Sequence, residues 1–174
     1  MRKVGENMYD IAIIGAGIVG SLVARSLSQF NLNIILLEKE NDVACGATKA
    51  NSALIHAGYD APFDSLRGKL NARGNELYSR LSSELNFSFE RIGSLVLGEG
   101  EADLKTLERL LENGRKLNIP GLKIIDLDEI MALEPSISPH FTHALYAPSA
   151  GLTEPWEVAI AACENRSEEH TSDL

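Results

Sequence analysis

The segment YDIAIIGAGIVG, residues 9–20, begins with a short run of apolar, mostly β-branched residues and ends in three spaced glycines. That order is typical of a buried strand that enters a tight turn. The residues that follow, IVGSLVARSLSQF, place apolar side chains at helical spacing, and the later run NIILLEKE indicates a second buried strand. Strand, helix and strand within about 30 residues predict a right-handed βαβ unit, so the fold class is α/β.

Two details of this unit follow from its helix. Val19, Val23, Leu27 and Phe30 have the spacing to share one apolar face. Asn31 comes where the chain must leave the helix and turn. Asn is, after Gly, the residue that best tolerates the left-handed conformation at a helix end, so we expect Asn31 to adopt it.

The glycines match the pattern G-x-G-x-x-G at Gly15, Gly17 and Gly20, and Glu38 ends the second strand 18 positions (38 − 20) after the last of them. The first glycine permits the turn, the second lets the backbone approach a pyrophosphate, and the third lets helix and strand pack closely. Glu38 would accept hydrogen bonds from a ribose and disfavour the 2′-phosphate of NADP. The motif predicts a dinucleotide site, either NAD or FAD. The alternative is a glycine turn that binds no ligand.

Composition excludes several classes of function. The chain has 174 residues, 44% of them hydrophobic, and a net charge of −9, so no nucleic-acid partner is expected. Two cysteines without a CxxC pair predict neither a disulfide framework nor a metal site, and we interpret Cys45 as a small buried residue. No signal peptide or membrane-spanning run is recognisable, which favours a cytoplasmic protein. A local basic patch would still permit peripheral membrane contact.

The remaining sequence predicts two long helices, near residues 66–85 and 101–117, and several short strands, two of which meet at a bend at Gly93. Changes of period suggest that a sheet-containing region is inserted. We therefore expect a nucleotide-binding region at residues 1–88, an inserted segment at 89–150, and a return to the first region at 151–165. The last nine residues, 166–174, share no pattern with the preceding helix and resemble a translated sequencing adapter, so we expect a non-native tail.

Longer stretches resemble a known family. YDIAIIGAGIVGSLVARSL, followed by LLEKE, resembles the amino terminus of the FAD-dependent oxidoreductases that include D-amino-acid oxidase. GATKANSALIHAGYD and LNARGNELYSRLSSELNFSFERIGSLVLG resemble more narrowly its glycerol-3-phosphate dehydrogenase/oxidase branch, to which L-2-hydroxyglutarate oxidases are close. The resemblance covers residues 9–165 and implies an amino-terminal fragment of such an enzyme.

The resemblance implies FAD as cofactor and a Rossmann-like FAD-binding βαβ domain with part of an inserted antiparallel-sheet substrate domain. It assigns Gly15, Gly17, Gly20 and Glu38 to the adenosine and pyrophosphate part of the cofactor. It also assigns three residues to the approach of the flavin: Thr48, Asn51 and Ser52.

His56, in the segment ANSALIHAGYD, is the candidate catalytic residue. The resemblance implies that its imidazole takes the hydroxyl proton while a hydride passes to the flavin, and a neutral imidazole is suited to that task. The small neighbours Ala53, Ala57 and Gly58 would leave room for a flat ring. The alternative interpretation is a core histidine with a satisfied hydrogen bond. His140 and His143 are given no catalytic role.

The expected function is oxidation of a small secondary alcohol, with glycerol 3-phosphate, oxidised to dihydroxyacetone phosphate, as the best candidate and oxygen or a quinone as electron acceptor. Three alternatives remain open. The protein could be a 2-hydroxyacid or amino-acid oxidase of the same fold, with L-2-hydroxyglutarate as one substrate. It could be an NAD-binding module. The fragment alone could also be inactive, because its cofactor site is incomplete.

Overall fold

The structure is a computed structural model that describes residues 8–170, with side chains through residue 165. By their contacts these residues group into two compact units. The first comprises residues 8–53, 81–88 and 154–170, and the second comprises residues 54–80 and 89–153.

The secondary structure of residues 8–170 follows the sequence-based prediction closely. In chain order the elements are β1 (Ile11–Ile14), α1 (Ile18–Ser28), β2 (Ile34–Leu37), β3 (Leu54–Ile55), α2 (Leu66–Leu85), β4 (Phe89–Glu90), β5 (Ser94–Gly98), α3 (Gly100–Lys116), β6 (Lys123–Asp126), α4 (Leu127–Leu133), β7 (His143–Ala147), β8 (Gly151–Thr153) and α5 (Pro155–His170).

The first unit contains the predicted βαβ motif. Strands β1 and β2 pair in parallel, with Ile11 opposite Ile34 and Ile14 opposite Leu37. Helix α1 connects them, and its other neighbour is α5, which returns to this unit more than 100 residues later. The prediction of a strand, a glycine turn, a helix and a second parallel strand is therefore confirmed.

The buried face of α1 is made of small residues. Ser21, Ala24 and Ser28 are buried, as are alanines of α5, so the two helices approach closely. In contrast, the predicted apolar face is largely exposed: Val19 is 73% exposed, and Phe30 is 55% exposed. That face does not define the packing of α1, because the partner helix contacts the opposite side, where side chains are short.

The prediction for Asn31 is wrong. Helix α1 ends at Ser28, its C-cap Gln29 has right-handed dihedrals, and Asn31 is not among the residues with positive φ. The left-handed conformation occurs instead at two asparagines that follow other helices, Asn86 (φ 54°) after α2 and Asn118 (φ 57°) after α3. Asparagine does adopt the left-handed conformation after helices in this protein, but at the ends of α2 and α3 and not at the end of α1.

The second unit contains two three-stranded antiparallel sheets. One has the order β3-β8-β4, and the other has the order β5-β7-β6. Strands β4 and β5 belong to different sheets, and the chain passes from one to the other through Gly93, whose φ is +73°. The expected bend at Gly93 and the expected antiparallel sheets are both present.

The amphipathic helix α3 covers the sheet β5-β7-β6. Leu107 and Leu111 are buried against Leu145 of β7, while the charged side chains of the helix face outward. A second cluster joins Ile125 and Ile130 on the other part of this sheet. Burial of these leucine and isoleucine side chains, worth roughly 1.5–3 kcal/mol each, is the main stabilising contribution in this unit.

The division by contacts places residues 54–80 with the second unit, whereas the sequence-based boundaries place them in the first region. Helix α2 spans the boundary, because its residues belong to both units. The backbone of α5 continues past Asn165 to His170, and residues 171–174 lie outside the described range. No helix among the described residues is long and apolar enough to cross a membrane.

Candidate functional site

The glycine-rich turn between β1 and α1 has a conformation that other residues would strain. Gly15 has a φ of +99°, and its N–H donates to the carbonyl oxygen of Leu37 at 2.7 Å. A Cβ on Gly20 would lie 1.9 Å from the Gly15 carbonyl oxygen, far closer than atoms can approach. The first glycine therefore permits the turn, and the last lets α1 start directly against it.

Helix α1 presents free backbone amides at its amino terminus. The first four N–H groups of an α-helix have no partner within the helix. Here the Ile18 N–H donates to Oγ1 of Thr48 at 3.0 Å. The N–H groups of Gly17, Val19 and Gly20 have no hydrogen-bond acceptor among the described residues. No acidic side chain belongs to the first turn of the helix.

A cavity of about 550 Å³ lies at this helix end. Of the residues predicted to bind the cofactor, its lining includes all three glycines together with Thr48 and Asn51. Ser52 is exposed and does not line the cavity. A pocket with three open amides at a helix amino terminus can hold the oxygens of a phosphate or diphosphate.

Thr48 and Asn51 organise the loop that follows β2. Thr48 Oγ1 caps α1 and lies 3.1 Å from the position of a Cβ on Gly17, so a larger residue at position 17 would displace it. The Asn51 amide donates to the carbonyl oxygens of Ala47 and Thr48, at 3.1 Å and 2.8 Å. Both side chains thus shape the cavity wall, and the donors of Asn51 are already used.

The Glu38 carboxylate is bonded to the turn itself. Its Oε2 accepts from the Ala16 N–H at 2.7 Å, and its Oε1 accepts from the N–H groups of Lys39 and Glu40. The hydrogen bond from the Ala16 N–H, and next the one from the Glu40 N–H, lower the pKa of the Glu38 carboxyl below its usual value of 4.5. The ionised carboxylate therefore links the end of β2 to the glycine turn and retains acceptor capacity for a ribose.

We expect Glu38 to make the stability of the first unit depend on pH. A carboxyl whose pKa is lowered by folding stabilises the folded state above its unfolded pKa, and that stabilisation disappears as the pH falls through the folded pKa. The free energy of unfolding, measured with urea from neutral pH to about pH 3, should fall less in Glu38→Gln than in the unchanged protein.

The matched control for this measurement is Glu40→Gln, which removes a neighbouring carboxylate whose only ion-pair partner among the described residues is the exposed Lys39. Its unfolding free energy should follow the unchanged protein across the pH range. Parallel pH curves for Glu38→Gln and the unchanged protein would contradict the assignment.

His56 belongs to the second unit and follows β3 directly. Its side chain is exposed, so the alternative interpretation of a core histidine is wrong. Its backbone is held firmly, because the His56 carbonyl oxygen accepts from Nδ2 of Asn75 at 3.0 Å. The imidazole is thus available to solvent or ligand on a fixed backbone.

Two of the small residues next to His56 are closely packed. Ala57 is 2% exposed and packs with Ile119 and Ala147 in a core cluster. A Cβ on Gly58 would lie 2.9 Å from the Ala72 N atom of α2. The small size of Ala57 and Gly58 is thus used for close packing within the unit, and the room that they and Ala53 were expected to leave for a flat ring stays a prediction.

Sequence reasoning missed two residues that support His56. Asn75 is a buried polar residue on α2 whose Nδ2 donates to the carbonyl oxygens of His56 and Ser149. Arg91 donates from Nη1 to Asn75 Oδ1 at 2.8 Å and to the Ser149 carbonyl, and from Nη2 to the Asn75 carbonyl and Ser79 Oγ. The signal in the sequence was Asn75 itself, a polar residue within the leucine pattern of α2.

The remaining candidate residues have ordinary environments. His140 is exposed, and its Nε2 lies 2.6 Å from an oxygen of Glu99. His143 is half-buried in β7. Cys45 is exposed, so the prediction that it is buried is wrong. It lies in the irregular loop after β2, where no second layer covers it.

Comparison with known proteins bears on this site. A family model described as FAD dependent oxidoreductase matches residues 10–167. A glycerol 3-phosphate dehydrogenase of Caloramator mitchellensis is 49% identical over 161 residues, which cover 92% of this chain and 34% of that protein. An L-2-hydroxyglutarate dehydrogenase of Dictyostelium discoideum is 34% identical over 155 residues, which cover 87% of this chain and 34% of that protein. The chain spans about a third of the length of these relatives.

A solved structure with the same fold is that of the dithionite-reduced L-alpha-glycerophosphate oxidase of Mycoplasma pneumoniae, with FAD bound. It matches with a TM-score of 0.86 and 25% sequence identity, covering 94% of this chain and 44% of that one. The L-proline dehydrogenase of P. horikoshii matches with a TM-score of 0.84 and 26% identity, covering 93% and 42%. These likenesses confirm the predicted α/β fold with antiparallel sheets.

Proposed function

Because the chain belongs to the family of FAD-dependent oxidoreductases, we propose that it supplies the nucleotide-binding part of a flavoenzyme that oxidises glycerol 3-phosphate to dihydroxyacetone phosphate. The observation that carries the cofactor assignment is the set of three open amides at the start of α1. The substrate assignment rests on the relative that is 49% identical.

The residues of the first unit fit the adenosine and diphosphate part of FAD. The amides of Gly17, Val19 and Gly20 would bind diphosphate oxygens, and the absence of a side chain at Gly17 allows close approach. Glu38 would accept from the ribose hydroxyls with the acceptor capacity that Ala16 leaves free. Thr48 and Asn51 would form the wall of the loop along the cofactor, with Ser52 next to them.

His56 is the residue that we propose to act as the base. FAD, when bound, supplies the acceptor for the hydride removed from the carbon atom. The neutral imidazole of His56 takes the proton from the substrate hydroxyl, so that the carbon–oxygen double bond forms as both hydrogens leave. The hydrogen bond from Asn75 to the His56 carbonyl orients the backbone from which the imidazole projects.

Anaerobic mixing of the complete protein with substrate tests the proposal. We expect the purified protein to be yellow and glycerol 3-phosphate to bleach the visible absorbance of the flavin, because its secondary hydroxyl carbon delivers the hydride. A colourless protein that takes up no FAD would contradict the cofactor assignment. A yellow protein that glycerol 3-phosphate leaves unbleached would contradict only the substrate assignment.

L-2-hydroxyglutarate is the second candidate substrate, supported by the relative of Dictyostelium discoideum, which is 34% identical to this chain. It is also a secondary alcohol, so the same base and the same hydride transfer apply. The same mixing experiment with L-2-hydroxyglutarate separates the two candidates. Subsequent addition of oxygen or of a soluble quinone identifies which acceptor restores the yellow colour.

A further inference from the structure

The second unit contains a cavity of about 910 Å³ that none of the proposed cofactor or catalytic residues lines. Its walls are residues of α2, the turn that follows α3, and the segment at Pro148 and Ser149. The volume lies within the range of about 300–1,000 Å³ that is usual for small-molecule sites. The size therefore suits an organic ligand.

The charge of the cavity is positive although the chain is acidic. Lys69, Arg73, Arg91 and Lys116 line it, and Glu76 is the one acid among its lining residues, in a chain whose net charge is −9. A cleft that is lined by charges of one sign and has low-dielectric walls concentrates ions of the opposite sign. The lining therefore attracts anions.

Two of these cations are not neutralised by a carboxylate. Arg73 pairs with Glu76, and Lys116 pairs with Glu112 at 2.7 Å. The Lys69 ammonium has no partner among the described residues. Arg91 donates only to neutral oxygens of Asn75, Ser79 and Ser149, so its positive charge remains while most of its donors are occupied. Lys69 can therefore donate to an anion, and Arg91 contributes charge.

A buried hydroxyl in the same wall lacks a partner. Ser149 is 8% exposed, and its Oγ has no hydrogen bond among the described residues. The Ser149 carbonyl is already used by Asn75 and Arg91. A buried hydroxyl left without a partner is unfavourable, and because this oxygen is closed to solvent, it makes no contact with a molecule in the cavity.

The rim of the cavity is already in a fixed conformation. Asn118 and Gly121 have φ values of 57° and 70°, and a Cβ on Gly121 would lie 2.6 Å from Cγ of Pro148. The Ile119 N–H donates to the Gly114 carbonyl oxygen at 3.0 Å. Apolar side chains such as Phe63 and Leu117 share the wall with the cations. The site is thus both apolar and cationic, and it requires little ordering on binding.

We propose that this cavity binds a small amphipathic organic anion, a phosphate monoester or a carboxylate with a short apolar body. Its anionic group accepts from Lys69 in the positive field that Arg91 supports. The apolar body of the ligand lies against the wall at Leu117. Binding involves no redox step, so it is measured independently of flavin reduction.

Isothermal titration of the FAD-loaded protein with phenyl phosphate, and in parallel with benzoate, tests this site. We expect Lys69→Glu to weaken binding by about tenfold or more, since it replaces a charge-assisted donor with a repelling charge. The matched control is Lys105→Glu on α3, an exposed lysine of the same unit outside the cavity, which should change the affinity by less than about twofold because of screening. Equal losses in both variants would overturn the proposal.

Ser149→Ala gives a second control within the wall. It should leave the affinity for phenyl phosphate unchanged, because the hydroxyl oxygen is closed to solvent. Its melting temperature without ligand should be equal or higher, because the unpaired hydroxyl is gone. A loss of affinity as large as that of Lys69→Glu would contradict the role given to the charge of Lys69. Inorganic phosphate or neutral benzyl alcohol binding as tightly as phenyl phosphate would overturn the proposed ligand class.

Discussion

Gly20→Ala is expected to weaken flavin binding strongly, because the new Cβ would lie 1.9 Å from the Gly15 carbonyl oxygen. Either the start of α1 or the turn must move, and the open amides of Gly17 and Val19 then lose their common orientation. Loss of two charge-assisted hydrogen bonds, about 3 kcal/mol together, corresponds to a decrease in FAD affinity of roughly hundredfold. The strain should also lower the free energy of unfolding by about 1–3 kcal/mol. Quenching of FAD fluorescence and urea unfolding measure the two effects.

Gly74→Ala is the matched control. Gly74 lies inside α2, and a Cβ at this position meets no atom within 4 Å. The same chemical change should therefore stabilise the helix by up to about 1 kcal/mol, since alanine favours helices more than glycine does. FAD affinity should not change in this variant. If Gly20→Ala bound FAD as tightly as Gly74→Ala does, the close packing of the turn would have no role in binding.

The second large effect is expected for His56→Ala. Loss of a general base should slow reduction of the flavin by glycerol 3-phosphate by about 10²–10⁴-fold. The bound flavin should remain, because the His56 side chain is exposed and the hydrogen bond from Asn75 reaches the backbone carbonyl, which alanine retains. Stopped-flow absorbance under anaerobic conditions measures the reduction rate.

A second exposed histidine serves as the matched control for this variant. His140→Ala removes another exposed imidazole, which pairs with Glu99, and should leave the reduction rate unchanged. A His56→Ala protein with the original rate would exclude the proposed role.

The local features of the fold could be predicted from the sequence because they depend on neighbouring residues. The β-branched run and the glycines of residues 11–20 define the strand, the turn and the helix start within ten positions. The leucine spacing defines α2 and α3, and Gly93 defines the bend between two strands. Family membership followed from the same short motifs, since they combine backbone requirements that few other residues satisfy.

Features that depend on distant partners were not predictable. The buried side of α1 is determined by α5, which lies more than 100 residues later, so the exposed Val19 and Phe30 could not be recognised from helical spacing. The same limit applies to Asn75, whose hydrogen-bond partners include Ser149, 74 positions away. A periodicity gives the faces of a helix, but not the identity of the element that covers each face.

The residues of the Glu38–Ala16 hydrogen bond lie close together in the sequence, whereas the helices of the α1–α5 contact lie far apart in it. This difference has a consequence for biosynthesis. The turn, its carboxylate and its threonine cap all come from residues 11–48, whereas α5 begins at Pro155. Domains are completed as the chain emerges from the ribosome, and contacts that are short in sequence form first. The nascent chain can therefore shape its glycine-rich turn early, while the helix behind that turn stays unsupported until translation has passed residue 165.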